Sequence, residues 1–534
     1  MKKSNVAIIL GIIFSVIIVL IIGIFAIVGN SKGKTTAQML KHIKVSEADP
    51  VKAPISLDDN SLYDELPDIS KYPVAVQGNG QLDVEIFTSG EKAGNGNDSW
   101  LIDVANKFNK EGVEVNGKTV SMTVRSVPSG TAADYIISNK YLPDIYTPSN
   151  TLFGEYAIVN GGNLELYKDR LVGNTAGILV KKGAYTEFKD VITAVQSGQL
   201  NMGYTNPQTS ATGLNLLVTL LQDGEENFTK FNQNIPYVAY TTQQMRDSAS
   251  NGKLDAILTE YQTYINDENL KSVYDFIPFG MRHDNPAYIC DKAGKTEDDL
   301  KAIEEVINFC LSADMQQIAT NKGFNANDDY STSLNFTGAE VSQALTSYKL
   351  TKDNGKDIIA VFVADCSGSM YGDPMNQLKE SLSNGMQYIN ENNYVGLVSY
   401  SDNVTIEVPI NKFDMNQKAY FQGGINGLKA NGSTASYDAV VVAMDMIEEA
   451  KKDHPDAKAM IFLLSDGYQN VGYSMGTITP ALRESQIPVY TISYTSEADT
   501  DAMKKLSEVN EAATINADSE DIVYKIKSLF NSQM

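Results

Sequence analysis

The run Ile358-Ile359-Ala360-Val361-Phe362-Val363-Ala364, followed by Asp365-Cys366-Ser367-Gly368-Ser369, constrains the fold of this chain more than any other stretch. An uninterrupted apolar run of this length reads as a strand buried on both faces, as in a parallel sheet. Ligands of open α/β sheets bind beyond the carboxyl ends of such strands. Asp365, Ser367 and Ser369 therefore stand where a site is expected. A carboxylate and two hydroxyls form an all-oxygen donor set, which suits a hard cation such as Mg²⁺, Mn²⁺ or Ca²⁺.

Two further segments complete the pattern. Asn431-Gly432-Ser433-Thr434 is a turn that opens an amphipathic helix through Met446. Met460-Ile461-Phe462-Leu463-Leu464 is a second buried-strand run, and it ends in Ser465-Asp466-Gly467. Strands at 394–400, 459–464 and 488–494 alternate with helices at 375–389, 434–449, 501–509 and 520–530. The run 404–410 alternates as an antiparallel edge strand does. Residues 413–428 contain a helix that Gly423-Gly424 should break.

Over residues 356–534 this resembles the von Willebrand factor A (VWA) domain with its metal-ion-dependent adhesion site (MIDAS). The resemblance implies a doubly wound, Rossmann-like sheet and a divalent metal held by Asp365, Ser367, Ser369, Thr434 and Asp466. Mg²⁺ is the first expectation, with Mn²⁺ or Ca²⁺ as alternatives. In such a site the two serines ligate through their hydroxyls, Thr434 directly or through water, and the two aspartates mostly through water. The remaining position goes to a carboxylate of a protein partner. By alternation Cys366 points into the core, as a small buried hydrophobe. Tyr371, Tyr437, Tyr468 and Tyr473 fall on loops near this edge and offer a contact surface.

Composition narrows the function. The chain has 534 residues, with 66 Asp plus Glu against 43 Lys plus Arg, a net charge of −23. That argues against nucleic acid as a partner, because phosphate binding needs a basic surface. Three cysteines (Cys290, Cys310, Cys366) exclude a disulfide scaffold and a cysteine-ligated zinc site. Three histidines (His42, His283, His454) lie far apart in sequence. No nucleophile–base pair and no P-loop is present, and no general base is placed by motif for metal-assisted phosphoryl chemistry. The expectation is a binding protein, not an enzyme.

Before the linker at 336–355, residues 81–335 alternate strand and helix, which argues an α/β domain with a largely parallel sheet. Strand 84–88 ends in Ser89-Gly90, and strand 120–127 ends in Pro128-Ser129-Gly130. Strand 200–205 runs into Asn206-Pro207-Gln208-Thr209-Ser210-Ala211-Thr212-Gly213, which opens an apolar helix. Free N–H groups at such a helix start, with these hydroxyls, would cradle an anion or polar ligand. Serine and threonine at helix starts are also routine caps. The order resembles extracellular solute-binding proteins of bacterial uptake systems, and implies a two-lobed, type 2 periplasmic-binding-protein-like fold. By residue match the ligand contacts are Ser89, Ser129, Gly130, Thr209, Ser210 and Thr212.

Residues 6–28 are apolar apart from Ser15 and two glycines, and Lys2 and Lys3 precede them. At about 1.5 Å per residue the run is long enough to span a bilayer. Residues 1–30 are thus expected to be a cytoplasmic tip and an N-terminal transmembrane helix, with a cleaved signal peptide as the alternative. Residues 31–80 are polar and punctuated by Pro50, Pro54, Pro67 and Pro73, and read as a stalk with little core of its own. The sum is a single-pass, membrane-anchored surface protein with extracellular domains. It would engage a protein partner through the metal and hold a small solute in its middle domain. The alternative is a solute receptor of an uptake system whose VWA domain serves as a docking arm.

Overall fold

A computed structural model describes residues 34–55, 66–239, 242–249, 254–351, 356–466, 468–493 and 499–510, then 512, 514–517, 524–526 and 529. The expected membrane span at 6–28 lies outside these residues. Among the described residues no helix is long and apolar enough to cross a membrane.

The distal domain is built on a seven-stranded sheet. Its central strand is Ile358–Asp365, every residue of which is buried. Parallel partners flank it, Tyr394–Tyr400 on one side and Lys458–Ser465 on the other. Val489–Ser493 and Thr514–Asn516 continue the sheet in parallel. Burial on both faces explains the unbroken apolar run: Phe362 stacks on Phe462 at 4.9 Å between ring centroids, while Ile359, Val361 and Val363 pack with the helix Ser436–Ala450 on the opposite face.

Two expectations are corrected here. Val404–Lys412 is antiparallel to its neighbour as expected, but it is not the sheet's edge. Val45–Glu47, from the supposed stalk, pairs with it in parallel and is the outermost strand. Around that strand the helix Thr36–Leu40, capped by Thr35, sets Met39 into the core beside Ser436–Ala450. Ala53 N–H donates to Ala419 carbonyl. Residues 66–76 belong to the middle domain instead: Leu66 is in its core, and Val74–Val76 pairs with Lys118–Ser126. The stretch therefore completes two domains. The second correction concerns Gly423-Gly424. The helix Met415–Gly427 runs through them unbroken. A Cβ on Gly423 would lie 1.6 Å from Val51 carbonyl oxygen, so this glycine lets the N-terminal segment cross the helix closely.

The middle domain has two lobes. The first holds a six-strand path, Val74–Val76, Lys118–Ser126, Leu82–Thr88, Ile145–Thr147, Ala287–Cys290 and Leu164–Lys168. The second holds Tyr237–Ala239, Met202–Thr205, Ala256–Glu260, Thr175–Lys181 and Tyr274–Arg282. The chain crosses between lobes at 169–174 and again at 283–286. These crossovers pair with each other, Asn174 and His283 exchanging backbone hydrogen bonds of 2.9 and 3.1 Å. The expected linker at 336–355 contains the helix Gly338–Thr351, which packs across both lobes against Leu152–Val159 and Ala211–Leu221. Leu179, Tyr237 and Tyr274 of the second lobe share an apolar cluster with Phe362, Phe462 and Tyr490 of the distal sheet.

Candidate functional sites

At the carboxyl end of the central strand, Asp365 is wholly buried. Its Oδ1 accepts from Ser367 N–H at 2.8 Å, and its Oδ2 accepts from the hydroxyls of Tyr400 at 2.9 Å and Ser465 at 2.6 Å. Ser367 Oγ lies 3.0 Å from Ser369 Oγ, and Ser369 Oγ donates to Asp466 Oδ1 at 2.9 Å. Backbone bonds bring the Thr434 loop against these residues: Asn431 N–H donates to Cys366 carbonyl and Gly368 N–H to Gly432 carbonyl. Asp402 Oδ1 accepts from Ser433 N–H, and Asn470 Oδ1 accepts from Thr434 N–H. All five residues expected from sequence thus come from three loops that meet at one place. Asp365, Ser367, Thr434 and Asp466 are buried, and Ser369 is exposed at the mouth.

Burial pushes both carboxyls above their ordinary range, and for Asp466 the nearby Asp365 charge adds to this. The groups bonded to Asp365 are an amide and hydroxyls, with no lysine or arginine among them. Two buried carboxylates that repel each other, ringed by hydroxyls, fit a hard divalent cation. Such an ion would be held by Asp365, Ser367, Ser369, Thr434 and Asp466. It would supply Lewis acidity toward an incoming oxygen ligand. Cys366 is buried, and burial holds its thiol up at about 12. Of the four tyrosines, Tyr371 and Tyr468 are 84% and 61% exposed beside the site. Tyr437 is buried, and Tyr473 lies against the N-terminal segment, its hydroxyl 3.3 Å from Met39 carbonyl.

The second site lies between the lobes of the middle domain, a cavity of about 210 Å³. Ser89, Ser129, Thr209, Ser210 and Thr212 line it, as the sequence led one to expect. Gly130 does not. Its N–H donates to Thr209 carbonyl, and a Cβ there would lie 2.0 Å from Gln208 carbonyl oxygen. The glycine lets the two lobes touch.

The lining also contains charged residues that motif reading missed: Glu91, Asp98, Arg246 and Glu260. Glu91 Oε1 accepts from Ser89, from Ser149 at 2.6 Å, and from Lys92 Nζ at 3.1 Å. Burial would raise this carboxyl, but the Lys92 ammonium and the two serine hydroxyls hold it down at about 2. Lys92 is itself buried, and donates at 2.6 Å to Asn285 Oδ1 on the second crossover. Glu260 is held by His283 Nδ1 at 2.8 Å and Asn174 Nδ2 at 2.9 Å, one from each crossover. Burial, then the Glu91 charge, pushes it up. Asp98 sits 3.3 Å from Arg246 Nη1, and burial pushes it up too.

Residues 93–325 match the family described as bacterial extracellular solute-binding protein. Residues 360–530 match the von Willebrand factor type A domain. The chain joins a solute-binding domain to a VWA domain. Curated relatives are inter-alpha-trypsin inhibitor heavy chains. Heavy chain H3 of Bos taurus is 30% identical over 121 residues, covering 21% of this chain and 13% of that one. Heavy chain H2 of Mus musculus is 25% identical over 180 residues, covering 32% and 19%. The chain thus spans less than a fifth of these relatives. Among solved structures, a von Willebrand factor type A protein from Catenulispora acidiphila is 17% identical at a TM-score of 0.31, over 33% of this chain and 43% of that one. A periplasmic thiamin binding protein is 14% identical at 0.40, over 51% and 96%.

Within the VWA domain, the residues missed from sequence are Tyr400, Ser465 and Asn470. Tyr400 was detectable in principle, because it ends the strand adjacent to Asp365 and pairs with it in register. Within the solute-binding domain, Glu91 lies three residues past the strand Leu82–Thr88, and Glu260 is the last residue of the strand Ala256–Glu260.

Proposed function

We propose that this chain is a cell-surface binding protein that grips a protein partner through a divalent cation in its VWA domain. The observation that carries this reading is the meeting of three loops that bear Asp365, Ser367, Ser369, Thr434 and Asp466 at one edge, with both carboxylates buried. A partner carboxylate approaching Ser369 would complete the ion's shell, and the exposed Tyr371 and Tyr468 would border the contact. Anchoring through residues 6–28, with the domains outside the cell, belongs to the same proposal.

The test is native mass spectrometry of the full chain in detergent, before and after chelation. A divalent ion lost on chelation and absent from Asp365→Ala supports the site. Failure to take up Mg²⁺, Mn²⁺ or Ca²⁺ at millimolar concentration would sink it. The formed cavity between the lobes favours a second reading, solute capture as the main task. A single anchor cannot move a solute across a membrane, so that reading requires a separate permease.

A further inference from the structure

The hydroxyls and helix starts around the inter-lobe cavity, taken alone, suit an oxyanion. The helices Ser129–Ser138 and Ala211–Leu221 both begin at its wall, and helix N-termini favour negative charge. The carboxylates oppose this. Glu91, Asp98 and Glu260 face a single lining guanidinium, Arg246. Lys92 bonds Glu91 from beneath, and His283 bonds Glu260. The wall itself carries three carboxyl groups against one guanidinium.

We propose that the cavity takes a small organic cation, a hydroxyl-bearing amine or quaternary ammonium, and rejects oxyanions. This rests on the reading of the middle domain as solute-binding; the carboxylates decide only the class of solute. Glu91 and Glu260 are not free to swing away from a ligand. Bonds to Ser149 and Lys92 fix the first, and bonds to Asn174 and His283 fix the second. Such preorganisation favours a ligand of complementary charge, because the protein does not reorganise when it binds. A second anion set among these buried carboxylates would meet their field at low dielectric. A cation there relieves the repulsion that Glu91 exerts on Glu260.

Two observations narrow the solute. The many serine and threonine hydroxyls call for hydrogen-bonding partners on the same molecule. At about 210 Å³ the cavity is smaller than the ~300–1,000 Å³ of sites for drug-sized ligands, so the solute is small.

The experiment is titration calorimetry of the full chain in detergent with separate probes: choline, ethanolamine and putrescine as amines; sulfate and molybdate as oxyanions; glucose as a neutral polyol. At least one amine is expected to bind with one-to-one stoichiometry at physiological salt. Glu260→Gln and Glu91→Gln are each expected to weaken it by about tenfold or more. If either variant fails to fold, Asp98→Asn and the ranking of the probes on the parent chain still decide. Binding of sulfate, molybdate or glucose in preference to every amine overturns the cation proposal and leaves the solute-binding reading standing. Binding of Mg²⁺ alone in the cavity, measured on Asp365→Ala, does the same. Failure of every probe overturns both.

Discussion

Asp365 accepts three hydrogen bonds while lying wholly buried, and two of them come from residues distant in sequence. Groups that orient a metal-facing carboxylate commonly change metal affinity by about 10- to 100-fold when removed. Tyr400→Phe is therefore expected to weaken Mg²⁺ or Mn²⁺ binding within that range, with the fold intact by circular dichroism. Cys366 gives a second prediction. With its thiol held up at about 12, it should resist alkylation by iodoacetamide in the native chain and react only after denaturant is added. The five oxygen-bearing residues of the proposed metal site could be picked out from sequence because each stands at the end of a strand or at the start of a helix, where sequence pattern and position coincide. Tyr400 and the cavity carboxylates were not. Their roles depend on which strand lies next to which, and hydrophobic periodicity does not report that.

The short strand Val45–Glu47 shows the same limit in another form. All three residues are exposed, so no alternation marks them; the pairing is carried by backbone bonds such as Ala48 N–H to Ile406 carbonyl at 2.9 Å. Gly423 was read as a helix breaker from its propensity, yet the helix continues because the cost of a glycine, about 1 kcal/mol, is offset by the close crossing it permits. Gly423→Val should expel the N-terminal segment and lower the melting temperature, and limited proteolysis should then cut near residue 51. A titration belongs to the helix Ser129–Ser138. Burial lifts its Asp134 carboxyl to about 8, against the pull of Lys349 and a hydrogen bond to Tyr524. A folded pKa raised above the unfolded value of 3.8 gives stability that is complete below that value and lost as pH climbs through about 8. Asp134→Asn should remove that loss. The variant should melt higher than the parent at pH 8, and the difference should shrink steadily as pH falls toward 3.8.

The solute-binding domain is an insertion. Residues 36–53 pack on the VWA domain, the chain then builds the two lobes, and it returns to the VWA domain at Ile358. The linear order read from sequence, stalk then middle domain then distal domain, did not anticipate this return, because a three-residue strand leaves no compositional boundary. Residues 356–534 expressed alone should expose the edge of Val404–Lys412, an unpaired strand of the kind that promotes association. That fragment is expected to aggregate in light scattering, and joining residues 34–55 to it through a flexible linker should restore a monomer.

The Val45–Glu47 pairing also sets a route for mechanical load. Tension applied between residue 34 and a partner at Ser369 passes from the outermost strand through the sheet to the Asp365 loop. The two lobes lie outside that route, as a slack loop lies outside a taut rope. A pull strong enough to strip Val45–Glu47 from Val404–Ile406 would move the load onto the lobes, whose crossovers at Asn174 and His283 carry the residues that hold Glu260. Below that force the solute cavity is shielded from the grip; above it, the cavity becomes the next part of the molecule to be stretched.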